Sequence, residues 1–391
     1  MKIIFPRIET FHFHKAYDGG SKYIYYLSQE LVKQGCEVTI VTTPFEKGDY
    51  ETKFYRGVKY VFLPPKYSGR KRLINIPWKN KFSKNLKKYL EKTDFDILHS
   101  AEAFALPYLK KKKRKPVIYQ CWAMEAWYGK EPTSQKGFKK IYINQFLRKP
   151  WQYVLENSDS IAADGNFQVP RITKLGVPRE KIFFLPNGVN FKEIQEIKKK
   201  YKNRREDLGI KKEDLLILGV SQIAPDKGIE DIINGFVMLK KDIPNAKLLM
   251  VGRGILESQM FDLVKRNGLV NEKDFFHRKN IPEEILYDYY FSSDIFVAAT
   301  LSEDFMITIQ EAMACGLPIV SSAQPYLVEN GLNGYVVGFK NPKGIKDAIL
   351  KIYKDKNMEK MGKESIKIAE KYDYEKIAES AIKEYKKLLT S

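Results

Sequence analysis

Residues 300–322, TLSEDFMITIQEAMACGLPIVSS, constrain the fold more than any other part of this chain. They read as loop, helix, stop and strand: a short helical pattern ends at Gly316, Pro318 stands just beyond, and the apolar run Leu317–Val320 follows. Such a turn leaves free backbone N–H groups and the positive end of a helix dipole near residues 304–307, a place suited to an anion such as a pyrophosphate. Glu303 and Glu311 flank it, with seven residues between them. A plainer reading stands beside this one, in which Glu303 and Asp304 complement the helix terminus while Met306, Ile309 and Met313 are core.

The same unit recurs along the chain. Strands are expected at Lys2–Pro6, Glu37–Thr42, Val58–Leu63, Val117–Gln120, Ser158–Ala163, Lys181–Pro186, Leu215–Val220, Lys247–Val251 and Asp294–Ala298, with another ending at Phe95–His99. Between the first two lies a helix, Ser21–Gln34, with Ile24, Leu27 and Leu31 on one face and Gly35 as its stop. Strand alternating with helix argues for parallel sheets in an α/β fold. At 391 residues there is room for two such domains.

Several strand-to-helix loops carry polar signals. Gly19-Gly20 precedes the first long helix, where a glycine pair lets backbone approach a ligand or simply makes a turn. Gly252-Arg253-Gly254 follows a strand but lacks the third glycine of the dinucleotide fingerprint. Cys36, Cys121 and Cys315 have no metal-ligand spacing and are expected as buried small residues, so no metal site is expected.

Charge is distributed unevenly. Residues 1–200 hold 39 Lys and Arg against 19 Asp and Glu, whereas residues 201–391 hold 29 of each. The net charge of +20 thus belongs to the first half, which suits an anionic membrane face, a phosphorylated acceptor or nucleic acid, although abundant lysine also reflects general composition. Two stretches concentrate it. Lys110–Lys115 is six consecutive cations. Lys66–Leu90 interleaves nine cations with Leu73, Ile74, Ile76, Trp78, Phe82, Leu86 and Tyr89, which reads equally as an interfacial helix or as an amphipathic helix packed on its own domain. There is no apolar run of about eighteen residues and no signal-type opening, so a cytoplasmic protein, peripheral at the inner membrane face, is expected.

The paired glutamates followed by EAMACGLPIV resemble the donor-site signature of retaining GT-B glycosyltransferases of family 4, which use nucleotide-sugars. The likeness continues in Asp96-Ile97-Leu98-His99, in Pro186-Asn187-Gly188-Val189 and in Glu329-Asn330-Gly331. It implies two Rossmann-like, doubly wound parallel-sheet domains facing a central cleft: an acceptor-binding domain over residues 1–198, a nucleotide-sugar domain over 199–370, and a last helix, 371–391, crossing back to the first. It also implies site roles. Glu303 would hold sugar hydroxyls, Glu311 the ribose, and Phe305, Met306 and Ile307 the donor through the helix terminus. Gly19, Gly20 and Lys227 would face the diphosphate, with Arg278 on the loop that holds the base. Glu125 matches a glutamate of the family's sugar-facing motif, and His99 and Trp122 would contact acceptor or sugar. The nucleotide-sugar is a substrate, so no cofactor is implied.

Trp122, Ala123 and Gln222 depart from the family pattern, as does Ala323-Gln324-Pro325-Tyr326, which stands where the family has a glycine pair. Trp122 and Ala123 stand where a histidine and glycine are usual, leaving His12, His14 and His99 as the only histidines of the first half. An indole stacks on a sugar and donates one hydrogen bond but transfers no proton. Gln222 stands where the family has an arginine on the diphosphate, so Lys227 alone, or Arg253 in addition, must carry the charge. The expected function is transfer of a hexose to a lipid-linked or polysaccharide acceptor; a non-catalytic sugar-nucleotide-binding or partner subunit is the alternative. No nucleic-acid motif is present, and none is expected as partner.

Overall fold

The computed structural model describes residues 1–14, 19–44, 50–65, 76–122, 149–301, 306–323 and 326–390. The chain forms two compact units, Met1–Gly188 together with Tyr374–Ser391, and Val189–Asp373.

The first unit is built on strands β1 (Lys2–Pro6), β2 (Glu37–Thr42), β3 (Lys53–Tyr55), β4 (Val58–Phe62), β5 (Ile97–Ser100), β6 (Val117–Cys121), β7 (Ser160–Ala163) and β8 (Ile182–Phe184). Their order across the sheet is β3-β4-β2-β1-β5-β6-β7-β8, parallel except for β3. Helix Ile76–Leu90 packs inward through Phe82, Leu86 and Leu90, all buried in the core beneath β5 and β6. The interfacial reading therefore fails for these residues, because their apolar face is already occupied by Phe104 and Tyr108 of the same unit. The final helix, Tyr374–Thr390, belongs to this unit and packs against helix Gly19–Lys33.

The second unit holds β9 (Leu215–Val220), β10 (Ala246–Val251), β11 (Phe275–Arg278), β12 (Ile295–Ala298), β13 (Ile319–Ser321) and β14 (Gly334–Val336), ordered β11-β10-β9-β12-β13-β14 and all parallel. Its strands read as unbroken apolar runs because both faces are covered. Successive residues point to opposite faces. Leu216, Leu218 and Val220 enter one core with Leu249, Phe276 and Phe296; Leu215 and Ile217 enter the other with Leu248, Met250 and Phe275. Helix Phe191–Lys198 lies with this unit, through Ile194 in the first of these cores and a hydrogen bond from Gln195 Nε2 to the Ala314 carbonyl at 2.8 Å.

Strand order reverses once in each sheet, beside β1 in the first and beside β9 in the second. Connections leaving the two strands at a reversal go to opposite faces, and the crevice between them is where ligands of open α/β sheets sit. In the second unit the loops there meet backbone to backbone: Leu301 N–H donates to the Asp226 carbonyl at 2.8 Å, and Ile223 N–H to the Arg253 carbonyl at 3.0 Å. Side chains cannot fit such contacts. A Cβ on Gly228 (φ +59°) would lie 2.0 Å from the Ala299 carbonyl oxygen, and one on Gly252 (φ +149°) 1.8 Å from that of Ser221. Gly252→Ala should therefore destabilise the protein by about 3 kcal/mol or more. Gly268→Ala, at φ +71° with open space around it, should cost about 1–2 kcal/mol; urea unfolding of both variants measures the difference.

Candidate functional site

At the reversal in the second unit, β9 delivers Ser221–Gly228 and β12 delivers Ala299–Leu301 to one edge of the sheet. Lys227 ends a short 3₁₀ turn, Pro225–Lys227. Its side chain is one-fifth exposed, and its Nζ stands 3.0 Å from Asp226, whose carboxylate is half exposed. Gln222 is exposed on the same loop. Arg253, on the adjoining loop after β10, is exposed and reaches Asn280 Oδ1 at 3.3 Å. The structure thus brings Gln222, Lys227 and Arg253 onto adjoining loops of one edge.

Helix Ile307–Ala314 starts from Met306, which is half-buried, and Ile307 is buried. Glu311, 3% exposed, accepts a hydrogen bond from the Tyr290 hydroxyl at 3.1 Å. Burial, and then the Glu311 charge, push the Tyr290 hydroxyl well above the usual phenol range, so Tyr290 keeps the proton it donates. Arg278 ends β11 and donates through Nη1 and Nη2 to both oxygens of Glu272, at 2.8 and 2.9 Å. It is the C-terminal residue of its strand, but its fork is already engaged. Glu303, Asp304 and Phe305 lie outside the described residues, as do Glu125, Ala123 and the stretch 66–75 with Leu73 and Ile74.

The first unit has a different rim. Gly19 and Gly20 open helix Gly19–Lys33 after β1, and Trp122 follows β6. Arg7, immediately after β1, ties these together: it donates to Ser21 Oγ from Nη2 at 3.2 Å, lies 3.5 Å from Glu102 beyond β5, and stacks over the Trp122 ring at 5.7 Å. A Cβ on Gly20 would lie 2.7 Å from the Trp122 ring and 3.3 Å from Arg7 Nη2. Gly20 therefore makes room for the indole. Sequence reasoning missed Arg7; the available signal was a cation directly at the end of an apolar strand.

His99 does not offer the sugar contact expected of it. It is 1% exposed, and both ring nitrogens are occupied: Nδ1 faces the Tyr385 hydroxyl at 2.6 Å and Nε2 faces Gln120 Oε1 at 3.2 Å. The proton positions follow from one fixed acceptor. Gln120 Nε2 donates to the Leu185 carbonyl at 3.3 Å, so its oxygen faces His99 and the Tyr23 hydroxyl, which donates to it at 3.0 Å. His99 must then carry its hydrogen on Nε2 and accept at Nδ1 from Tyr385. Burial lowers its pKa to about 3, in keeping with this neutral form. The chain of bonds runs from the final helix to Tyr23, which meets Trp122 edge-on at 5.5 Å. His12 and His14 are also engaged locally, His12 stacked on Tyr55 and His14 bonded to the Thr43 carbonyl.

Further buried polar groups occupy this edge. Gln168 is fully buried, and neither amide atom has a hydrogen-bond partner; the buried Trp122 Nε1–H lacks one as well. Such groups cost about 1–3 kcal/mol each when left unpaired. Cys36, Cys121 and Cys315 are buried thiols. Among the described residues, no cluster of three or more His, Cys, Asp or Glu could hold a metal ion, and no helix is long and apolar enough to cross a membrane.

Known proteins agree with this architecture. Residues 200–369 match the family described as Glycosyl transferases group 1, and residues 17–193 match Glycosyltransferase Family 4. An uncharacterized glycosyltransferase of Methanocaldococcus jannaschii is 25% identical over 378 residues, 92% of each chain. The alpha-monoglucosyldiacylglycerol synthase of Acholeplasma laidlawii is 24% identical over 339 residues, 79% of this chain and 78% of that one. The fold is that of sucrose-phosphate synthase from Thermosynechococcus elongatus, with a TM-score of 0.80 over 100% of this chain and 99% of that one, at 20% identity. The chain belongs to the group 1 glycosyltransferases of GT-B fold and is a glycosyltransferase, of a group that takes its sugar from a nucleotide-sugar.

The buried histidine gives a pH test. Its folded pKa, about 3, lies below the ordinary value of 6.5, so the unfolded chain takes up the proton first and stability falls as pH drops through the window between those values. From pH 7.5 to pH 5, His99 should account for a loss of about 2 kcal/mol. That part should be absent in His99→Gln, as measured by urea unfolding at the two pH values.

Proposed function

We propose that this enzyme transfers a hexose, with retention of anomeric configuration, from a nucleoside diphosphate sugar to a lipid-linked or polysaccharide acceptor at the cytoplasmic face of a membrane. The observation that carries the donor half is the reversal in the second sheet, where Lys227, Gln222 and Arg253 and the start of helix Ile307–Ala314 share one edge. Breaking the bond between the anomeric carbon and the phosphate oxygen leaves negative charge on the departing diphosphate. Lys227 and backbone N–H groups at the helix terminus would hold that charge, and Arg253 would supply the cation that Gln222 does not. Glu303 would fix sugar hydroxyls and Glu311 the ribose, with Phe305, Met306 and Ile307 around the phosphates. Glu125 and Trp122 would face the sugar, and Arg278 would line the base loop. As the acceptor oxygen bonds to the anomeric carbon, its proton passes to the phosphate oxygen that leaves, so the step needs no separate base.

Support for the membrane half is the charge of the first unit and its layout. Glu91 pairs with Lys111 at 3.0 Å and approaches Lys87 at 3.9 Å, which joins the end of helix Ile76–Leu90 to the cationic run. Lys88, Lys92, Lys112, Lys113 and Lys115 remain exposed there. The named lipid product of the Acholeplasma laidlawii relative points the same way.

Release of free nucleoside diphosphate from a panel of UDP-, GDP- and ADP-sugars tests the reading. One donor should be turned over, faster with lipid acceptor, and Lys227→Ala should lower kcat/KM by about 100-fold or more. Binding of a nucleotide-sugar without release, under every acceptor condition, would favour the non-catalytic alternative suggested by Gln222 and Trp122. Replacing Lys112, Lys113 and Lys115 with Gln should weaken binding to anionic vesicles by about 100-fold, at about 1 kcal/mol per lysine, with no change toward neutral vesicles.

A further inference from the structure

A cavity of about 500 Å³ opens at the edge where β9, β10 and β11, neighbours in the second sheet, begin. Strand β9 is six residues long, so this edge stands about 17 Å from the loop that carries Gln222 and Lys227. Leu208 and Phe276, both members of a hydrophobic core, give the cavity an apolar wall. Three lysines share it: Lys211 ahead of β9, Lys247 within β10 and Lys273 ahead of β11. Lys247 breaks the apolar pattern of its strand. It pairs with Leu216 and points to the face that Leu216 and Leu249 bury, but as the second residue of β10 it stays half-buried at the cavity.

Among the described residues, none of these three ammonium groups is held in a salt bridge or hydrogen bond. Lys247 feels the charge of Asp274, but that carboxylate is already bound by Lys240 Nζ at 2.8 Å and by the Val270 N–H at 3.0 Å. Glu272, in the cavity wall, is taken by the two Arg278 nitrogens. Acceptors nonetheless remain. Asp214 Oδ2 accepts the Lys211 backbone N–H at 2.9 Å and leaves its other oxygen open, and Glu213 is exposed. Asn245 donates through Nδ2 to the Glu213 carbonyl at 2.6 Å, which leaves its Oδ1 to accept.

These two sets of atoms select a ligand class. Unpaired cations call for an anion, and open carboxylate and amide oxygens call for hydroxyl donors. A bare phosphate fills little of the volume and brings its charge toward Glu213 and Asp214. An uncharged sugar leaves the lysines unanswered. A sugar phosphate meets both sets, with its phosphate on the ammonium groups and its hydroxyls donating to Glu213, Asp214 and Asn245. We propose that this cavity is a binding site for a phosphorylated sugar, separate from the donor edge. It lies wholly within the second unit, and the proposal stands whichever donor the enzyme uses.

Calorimetric titration of the full chain tests the site, with glucose 1-phosphate, glucose 6-phosphate and fructose 6-phosphate as ligands and with glucose and inorganic phosphate for comparison. At least one sugar phosphate should bind about tenfold more tightly than either comparison, or better. Lys211→Gln combined with Lys273→Gln, both at exposed positions, should weaken that binding about tenfold or more, and adding Lys247→Gln should weaken it further. Lys354→Gln combined with Lys360→Gln removes the same charge from exposed positions of this unit outside the cavity and should bind as the wild type does. No binding of any sugar phosphate, full binding in the Lys211 and Lys273 variant, or equal weakening in both double variants would each overturn the proposal. Inorganic phosphate bound as tightly as every sugar phosphate would overturn the assignment of a sugar.

Discussion

A parallel sheet covered on both faces leaves only its edges free for chemistry, and that constraint organises both units. In the second unit the apolar side chains of β9, β10 and β12 alternate between two separate cores and are taken up by that packing. Polar residues accumulate instead on the loops beyond Val220, Val251 and Ala298, where strand order reverses. Close backbone contacts at Gly228 and Gly252 hold those loops in register.

The two rims differ in character. The second unit presents amides and cations: Gln222, Arg253, Lys227 and a helix terminus, with Asp226 as local counter-charge. The first presents aromatic rings and neutral donors and acceptors. Its rim cation, Arg7, is balanced by Glu102 and covers Trp122. Beneath it the bonds from Tyr385 through His99 and Gln120 to Tyr23 fix the side chains of the rim from within. A charged rim suits a diphosphate, and a neutral rim rich in hydrogen-bonding atoms suits hydroxyl groups. The exposed lysines near Glu91 lie outside both.

Much of this was legible in the sequence, for physical reasons. Apolar runs such as LLILGV at 215–220 announce a strand covered on both sides, and Gly35 and Gly316 mark helix ends. Sheet order was not, because pairing of β9 with β12 joins residues about eighty positions apart and leaves no local mark. The spacing of Phe82, Leu86 and Leu90 is the same whether the face meets lipid or core, and only the position of Phe104 and Tyr108 decides. The resemblance of Asp96-Ile97-Leu98-His99 to a family motif points to His99 as an acceptor or sugar contact. The sign that it was internal lay elsewhere, in Gln120, a polar residue inside the buried strand VIYQC. Arg7 acts through neighbours distant in sequence, and a single Arg after a strand carries no such information.

We propose that the second unit's rim recognises a donor through charge on its diphosphate. Calorimetric titration of the wild type and Lys227→Ala with a nucleoside diphosphate and with the same nucleoside tests it most directly. The diphosphate should bind the wild type far more tightly than the nucleoside does, Lys227→Ala should weaken diphosphate binding at least tenfold, and nucleoside binding should be unchanged. Equal affinity for nucleoside and diphosphate, or full diphosphate affinity in Lys227→Ala, would contradict it.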